Sequence, residues 1–506
     1  MRTRRRLFLL LAVPSLAVVA LTMPAAAAAV SETPWPQYQG SAARTGDATV
    51  APAPPYRVAW TAATDIGDAS HAAGIPAPVV ANGDAIVVGR QSVDAVDVTN
   101  GQTAWNAPRS LGPSSPAAVV GSTVLFVEGG GDESVSASNS ASASASVTPS
   151  ASATSAKSAS SAIASPSATT TASTLVAIDS STQKRLWTVA LSDVSHTGVV
   201  VAGGVAIVGA DDGTVTAVDP VTGKQAWSVD VGDHVLAPMA ADDTQVYVCV
   251  RPESNGTAQL VALKLADGSE AWRYQPTGSV VDLGAPAVAA DGGTSTVYLV
   301  SSDAAVRAIG SDGTQRWAVP LYSATSGSPP AVSSDGVFVA DQYGTVYAFD
   351  PTSGAERWRF ATNHGAVGAP VVTATAVLQP TNDGVVTALA PDSGHRIWEG
   401  SVADSALFGL AATSDVIVAA HTGSTPGLTA LEADPSGTLT DVASPTSADP
   451  AGLALGWLAA SVPLTVALVL IGRSWAGRRS EPLLAPTGDD DVPVDPWEAD
   501  LVGDDT

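Results

Sequence analysis

The sequence predicts an all-β chain: an eight-bladed β-propeller of four-stranded antiparallel blades, followed by one C-terminal transmembrane α-helix. Three observations carry this. The first is a repeated sentence, clearest at Ala217-Val218-Asp219-Pro220-Val221-Thr222-Gly223-Lys224-Gln225-Ala226-Trp227. It recurs as Ala95–Trp105, Ala177–Trp187, Ala262–Trp272, Ala348–Trp358 and Ala388–Trp398, with Ala308–Trp317 one residue shorter. Gly427-Leu428-Thr429-Ala430-Leu431 has the alanine but no tryptophan after it; Trp60, far upstream, supplies the missing partner. The second is spacing. From Trp60 to Trp398 the intervals are 45, 82, 40, 45, 45, 41 and 40 residues, the long one holding an insertion. Several short strands per period of about 40–45 residues mark a propeller, whose blades bury one another's faces. The third is the uncharged run 453–472, discussed below.

Each repeat reads as a strand end, a tight turn and the start of the next strand. Thr-Gly-Lys supplies the turn because Gly223 takes a positive φ without a Cβ penalty. The tryptophan restarts an alternating apolar pattern. Closure by the strand around Trp60 completes the blade built from residues 403–434 and removes two open sheet edges.

The unit A-x-D-x-x-T-G-K-x-x-W, matched at every defined position by Ala217–Trp227, resembles the tryptophan-docking repeat of pyrroloquinoline-quinone (PQQ) type propellers. The opening Trp35-Pro36-Gln37-Tyr38-Gln39-Gly40 with Arg44-Thr45-Gly46 is similar to the segment that leads into the ring in that family. The resemblance covers residues 33–440. It implies that Trp60, Trp105, Trp187, Trp227, Trp272, Trp317, Trp358 and Trp398 lie flat between blades and serve packing rather than cofactor stacking. It also implies a range of roles, from quinoprotein dehydrogenases to the non-enzymatic scaffold of outer-membrane assembly, and to the outer domains of some receptor kinases.

Residues 1–29 read as an export signal. Arg2, Arg4, Arg5 and Arg6 precede the apolar run Leu7 to Met23, and Ala25–Ala29 offers cleavage sites. Arg5-Arg6-Leu7-Phe8-Leu9 also fits a twin-arginine pattern. The stretch 130–173 is Ser, Ala and Thr with few large apolar residues, so it is expected to be disordered, and on an exported chain it is a candidate for glycan attachment. It replaces a short turn, written elsewhere as Asp211-Asp212-Gly213-Thr214 or Asp341-Gln342-Tyr343-Gly344-Thr345.

A linker, 441–452, leads to the twenty residues 453–472. A helix rising about 1.5 Å per residue then spans a hydrocarbon core of about 30 Å. Trp457 and Trp475 suit the two interfaces, and Arg473, Arg478 and Arg479 place the C-terminus in the cytoplasm by the positive-inside rule. The tail 473–506 ends acidic, with nine carboxylates and no basic residue from Glu481 onwards. The expected protein is a single-pass cell-membrane protein with its propeller outside and its partners in the envelope or membrane. No kinase follows the membrane segment, so a sensor of this kind would signal through a separate partner.

Net charge −25 argues against nucleic acid, which needs a basic face. PQQ enzymes of the resembled family clamp the cofactor beneath two adjacent cysteines, with calcium held by nearby carboxylates and amides. Cys249 stands alone and no loop has calcium-ligand spacing, so neither PQQ nor calcium is expected and no catalytic residue is assigned. The expected function is a binding or scaffold module, with a PQQ-dependent oxidoreductase as the alternative. In a propeller the connection between blades shares a face with the turn between second and third strands. His71, His196, His234 and His364 fall in such connections, as does Asp282, and the insertion leaves from the same side. These five residues mark the candidate recognition face, although histidine is also ordinary in solvated loops.

Overall fold

The computed structural model describes residues 35–66, 76–130, 172–254, 256–291, 293–323, 328–440 and 442. The signal 1–29, most of the insertion, the span 453–472 and the tail lie outside the described residues. Among the described residues no helix is long and apolar enough to cross a membrane.

Eight sheets follow one another. Blade 1 is Val79–Ala81, Asp84–Val88, Ser92–Asp97 and Thr103–Pro108, paired in chain order from the innermost strand outwards. Blades 2 to 7 repeat this plan over 118–190, 200–230, 240–274, 287–320, 331–361 and 371–401. Blade 8 takes its inner three strands from 407–433 and its outermost from Tyr56–Ala63, with Trp60 opposite Ala430. The ring is thus closed by an early strand, which leaves no blade with an unpaired half.

The period-2 pattern sends alternate side chains to opposite neighbours. On the second strand of blade 4, Val246, Val248 and Val250 pack toward blade 3, and Tyr247 and Cys249 toward blade 5. Every repeat alanine faces its tryptophan across a strand pair, from Ala95 opposite Trp105 to Ala388 opposite Trp398, and all eight alanines are fully buried.

The joints refine the expectation of flat, equivalent indoles. In six of them the indole N–H donates to a carbonyl of the next blade's third turn, as Trp227 does to Leu265 at 2.8 Å and Trp60 to Val98 at 2.9 Å. A glycine of positive φ lies against each of these six rings; a Cβ on Gly223 would fall 2.6 Å from Trp187. Trp105 and Trp398 depart from this. At the turn that Trp105 should meet, Gln183 holds the glycine conformation (φ 55°), and Trp105 donates instead to the Asp84 carboxylate of its own blade at 3.0 Å. Trp398 meets the edge of Tyr56, centroids 5.1 Å apart, because blade 8 has no third turn.

A second correction concerns strand number. Blade 7 has five strands, because Asp47–Ala48 pairs in parallel with Val371–Thr373 on its inner edge. The parallel strand ends a strap, residues 35–48, that threads the middle of the ring. Trp35 exchanges two 2.8 Å bonds with Val80 of blade 1. The amides of Val119, Ala241, Val288, Val332 and Val372 then donate to the carbonyls of Pro36, Ala42, Ala43, Thr45 and Gly46, while Val201 binds the Gln37 side chain. Inner strands have no neighbour on the axis, so their N–H groups need these acceptors. The chain satisfies blades 1 to 7 in order. Arg44 (φ 54°) is 1 % exposed, its Nε donating to the Met239 carbonyl and its guanidinium 5.1 Å over the Tyr38 ring. Burial pushes Arg44 down to about 10 and Tyr38 up to about 12.

Candidate functional site

The two ends of the ring differ. At the hairpin end lie the first turns (Asn82–Gly83 in blade 1) and the third turns (Asp97–Gly101). The strap lies toward this end, since the inner-strand residues that it pairs with, such as Val80, Val119 and Val332, stand opposite the second residue of the following strand, just past the first turn. The chain also leaves here: Val442 exchanges bonds of 2.9 and 3.0 Å with Arg396, the first residue of the outermost strand of blade 7. The assumed linker therefore begins as a short cover on that sheet edge. At the loop end lie the second turns and the connections between blades, and this is where the candidate residues sit.

Second turns and connections interlock through carboxylates. Asp211, in the second turn of blade 3, accepts from His196 Nδ1 at 3.0 Å, while its backbone carbonyl accepts from His234 Nδ1 at 2.5 Å. Two connections are thereby tied to one turn. His234 and Arg251 exchange backbone bonds of 3.0 and 2.9 Å, and Arg251 in turn reaches Asp282 at 3.6 Å. Burial raises the Asp282 carboxyl, and the arginine partly offsets that. His196, His234 and Asp282 therefore share one continuous rim over blades 3 to 5. His364 stands apart, with Nδ1 2.6 Å from Asp383 and Nε2 3.9 Å from Glu399, which also holds Arg396 at 2.8 Å. His71 lies outside the described residues. Among the described residues no three of these groups converge to hold a metal ion.

The sequence did not single out Asp211, Asp341 or Asp383, the turn carboxylates that do the tying. A signal existed: the turn strings Asp211-Asp212-Gly213 and Asp341-Gln342-Tyr343-Gly344 begin with the same residue. Asp341 is fully buried and accepts from the amides of Tyr343 (3.0 Å) and Thr345 (2.9 Å) and from the Tyr347 hydroxyl (3.2 Å). The insertion is anchored at the same end, where Gly129 pairs with Ser173, the latter already part of a strand.

The fit of a quinone clamp can be tested at Cys249. Its thiol is 3 % exposed, donates to the Gly284 carbonyl at 3.3 Å, and is pushed well up by burial. It belongs to the core between blades 4 and 5, so the residues present do not fit the paired-cysteine clamp. Beside the strap, Trp35, Gln39, Thr45 and Asp47 face Ala412 and Thr413 around a cavity of about 150 Å³.

In comparison with known proteins, residues 171–328 and 302–444 match the family model described as outer membrane protein assembly factor BamB. The serine/threonine-protein kinase AfsK of Streptomyces griseus is 33% identical over 178 residues, which are 33% of this chain and 22% of the kinase. AfsK of Streptomyces coelicolor is 29% identical over 217 residues, 33% of this chain and 26% of the kinase. The chain thus spans about a quarter of the length of these curated relatives. Among solved structures, BamB from Moraxella catarrhalis aligns with a TM-score of 0.53 at 18% identity, covering 75% of this chain and 100% of that one. Quinohemoprotein alcohol dehydrogenase ADHIIG from Pseudomonas putida HK5 aligns at 0.58 and 14% identity, covering 85% of each. At these identities the likeness shows the fold alone. With the family match extending over just more than half of its length, the chain belongs to the PQQ-like β-propeller family described as outer membrane protein assembly factor BamB.

Proposed function

We propose that the protein is an extracytoplasmic β-propeller, tethered to the cell membrane through residues 453–472, whose loop end binds partner proteins of the envelope. The observation that carries this reading is the asymmetry of the ring. The hairpin end is taken up by the strap and by the departing chain, whereas the loop end presents turns and connections rigidly tied by carboxylates. A departing chain at the hairpin end turns that end toward the membrane and the loop end away from it. Family membership alongside a described assembly factor supports a protein-binding role, and the run 453–472 supports the tether. Cross-linking in the native membrane, with identification of the neighbours, tests the binding role; absence of any specific neighbour would end it. Protease added to intact cells tests the topology: the propeller should be reached and the acidic tail protected.

A second reading, the outer part of a sensor working with a separate signalling protein, draws on the likeness to the two AfsK kinases. Recovery of a kinase among the cross-linked neighbours would favour it. The oxidoreductase alternative is tested by adding PQQ and calcium and following dye-linked alcohol or sugar oxidation together with bound-quinone absorbance; both should stay at background.

A further inference from the structure

We propose that Tyr322 and Tyr343, at the loop end of blades 5 and 6, anchor a basic, Lys/Arg-bearing segment of a partner protein; this rests on the reading of the loop end as a binding face. Both rings stand out, Tyr322 at 59% and Tyr343 at 42% exposure, in a ring whose other described apolar side chains are mostly buried. Their backbones are nevertheless pinned to one buried group. The Asp341 carboxylate accepts from the Tyr343 amide with one oxygen and from the Tyr347 hydroxyl with the other. The Tyr347 oxygen in turn accepts from the Tyr322 amide at 3.2 Å. Tyr347 is 2 % exposed and packs parallel to Phe349, centroids 6.0 Å apart. The fold therefore presents two exposed phenols, one on a connection between blades and one on a second turn, held by a single interior relay. Tyrosines set on a rigid backbone lose little side-chain entropy on binding, which is why they recur as anchors.

Charge identifies the partner. The loops at this end carry Asp193, Asp212, Asp233, Asp282, Asp383 and Asp404. Among the described arginines there, Arg109 is buried and Arg251 and Arg307 are paired with Asp282 and Asp303, which leaves Arg90. Lys184, Lys224 and Lys264 all lie at the hairpin end. A basic segment at the loop end is thus attracted by these carboxylates and meets few unpaired cations among the described residues there. Once there, its cations find phenol faces to rest on. Blade 6 stands four blades round the ring from blade 2, whose Gly129 and Ser173 flank the insertion, so the two tyrosines and that tract leave from opposite sides of the mouth.

The test uses the full-length chain and a fluorescein-labelled nona-arginine peptide, read by anisotropy at about 0.15 M salt, with nona-glutamate as the opposite-charge probe. The double variant Tyr322→Ser/Tyr343→Ser should bind nona-arginine about tenfold more weakly, as expected for losing two aromatic anchors. Val221→Ser, which trims a side chain 70% exposed at the hairpin end, should bind as the parent does. Equal affinity of the double variant and the parent overturns the proposal, as does tighter binding of nona-glutamate. Should the parent bind no peptide while membrane cross-linking still finds specific neighbours, this anchor fails and the binding module stands. Loss of neighbours in every variant and in the parent would instead remove the module reading itself.

Discussion

The joint between blades 2 and 3 and the joint between blades 1 and 2 start from the same cross-strand pair, an alanine opposite a tryptophan, and end differently. At the first, Trp187 lies on Gly223 and donates to the Pro220 carbonyl of the next blade at 3.3 Å. At the second, Trp105 faces a turn whose left-handed position is held by Gln183, and its N–H returns to Asp84 in its own blade. The turn conformation is the same in both; only the Cβ differs. The lesson is that glycine is needed here twice over, once for its positive φ and once for the space that the indole fills. Trp398 shows the third outcome, in which closure of the ring by an early strand replaces the turn by Tyr56.

The comparison can be broken most severely by opening the ring. Deleting residues 31–62 removes the strap and most of the outermost strand of blade 8, so blade 8 gains a free edge and the inner strands of seven blades lose acceptors. The variant should aggregate, seen by light scattering and gel filtration; a soluble monomer with unchanged melting would show that closure is not needed. Next in size, Trp227→Ala should cost about 3–5 kcal/mol in chemical denaturation, as for a large buried aromatic. Trp105→Ala should cost a similar amount, since it too loses an indole hydrogen bond, the one to the Asp84 carboxylate of its own blade.

Gly223→Val should cost about 2–4 kcal/mol, since it adds a branched side chain both to a left-handed residue and to the face of Trp187. The reverse exchange sharpens the argument from the other side. Gln183→Gly should stabilise by up to about 1 kcal/mol by relieving a left-handed non-glycine residue; destabilisation would mean that the Gln183 side-chain bond to Ser180 outweighs the strain. The smallest effect belongs to the turn carboxylates. Hydrogen bonds from the Thr222 amide and hydroxyl and the Val221 amide hold Asp219 below the usual carboxylate range, and those from Ser181 and Thr182 hold Asp179 down at about 2. A depressed folded value means a contribution that is full above the unfolded value of about 3.9 and is lost as pH falls through the folded one. Asp219→Asn should therefore melt slightly below the parent at pH 7, and the gap should close below about pH 4.

The legibility of the fold follows from its local character. Each Ala-to-Trp unit reports its own strand, turn and strand within about a dozen residues, and Ala430, with no tryptophan following it, pointed to Trp60 and hence to the closing strand. The place of Cys249 between blades is legible in the same way, because alternation alone sends it away from Val246, Val248 and Val250. The strap was harder. Residues 35–48 have no period, and their partners are chosen one by one from seven blades. At the loop end the histidines were visible as residues but not their ties, since nothing near His196 or His234 in the chain says that both will reach Asp211.

The sequence by itself therefore determined the number of blades, the strand that closes them and the alanine–tryptophan pair at every joint. These depend on periodicity and on turn chemistry, both of which act between near neighbours. Tertiary structure alone decided which end of the ring is closed and which carboxylates organise the open one. The Gln37 side chain finds Val201 across 164 residues, and the Tyr322 amide finds Tyr347 only because two blades come to lie side by side. Such pairings are set by the geometry of the closed ring, where an inner strand must satisfy its amides with whatever chain the ring brings to its axis.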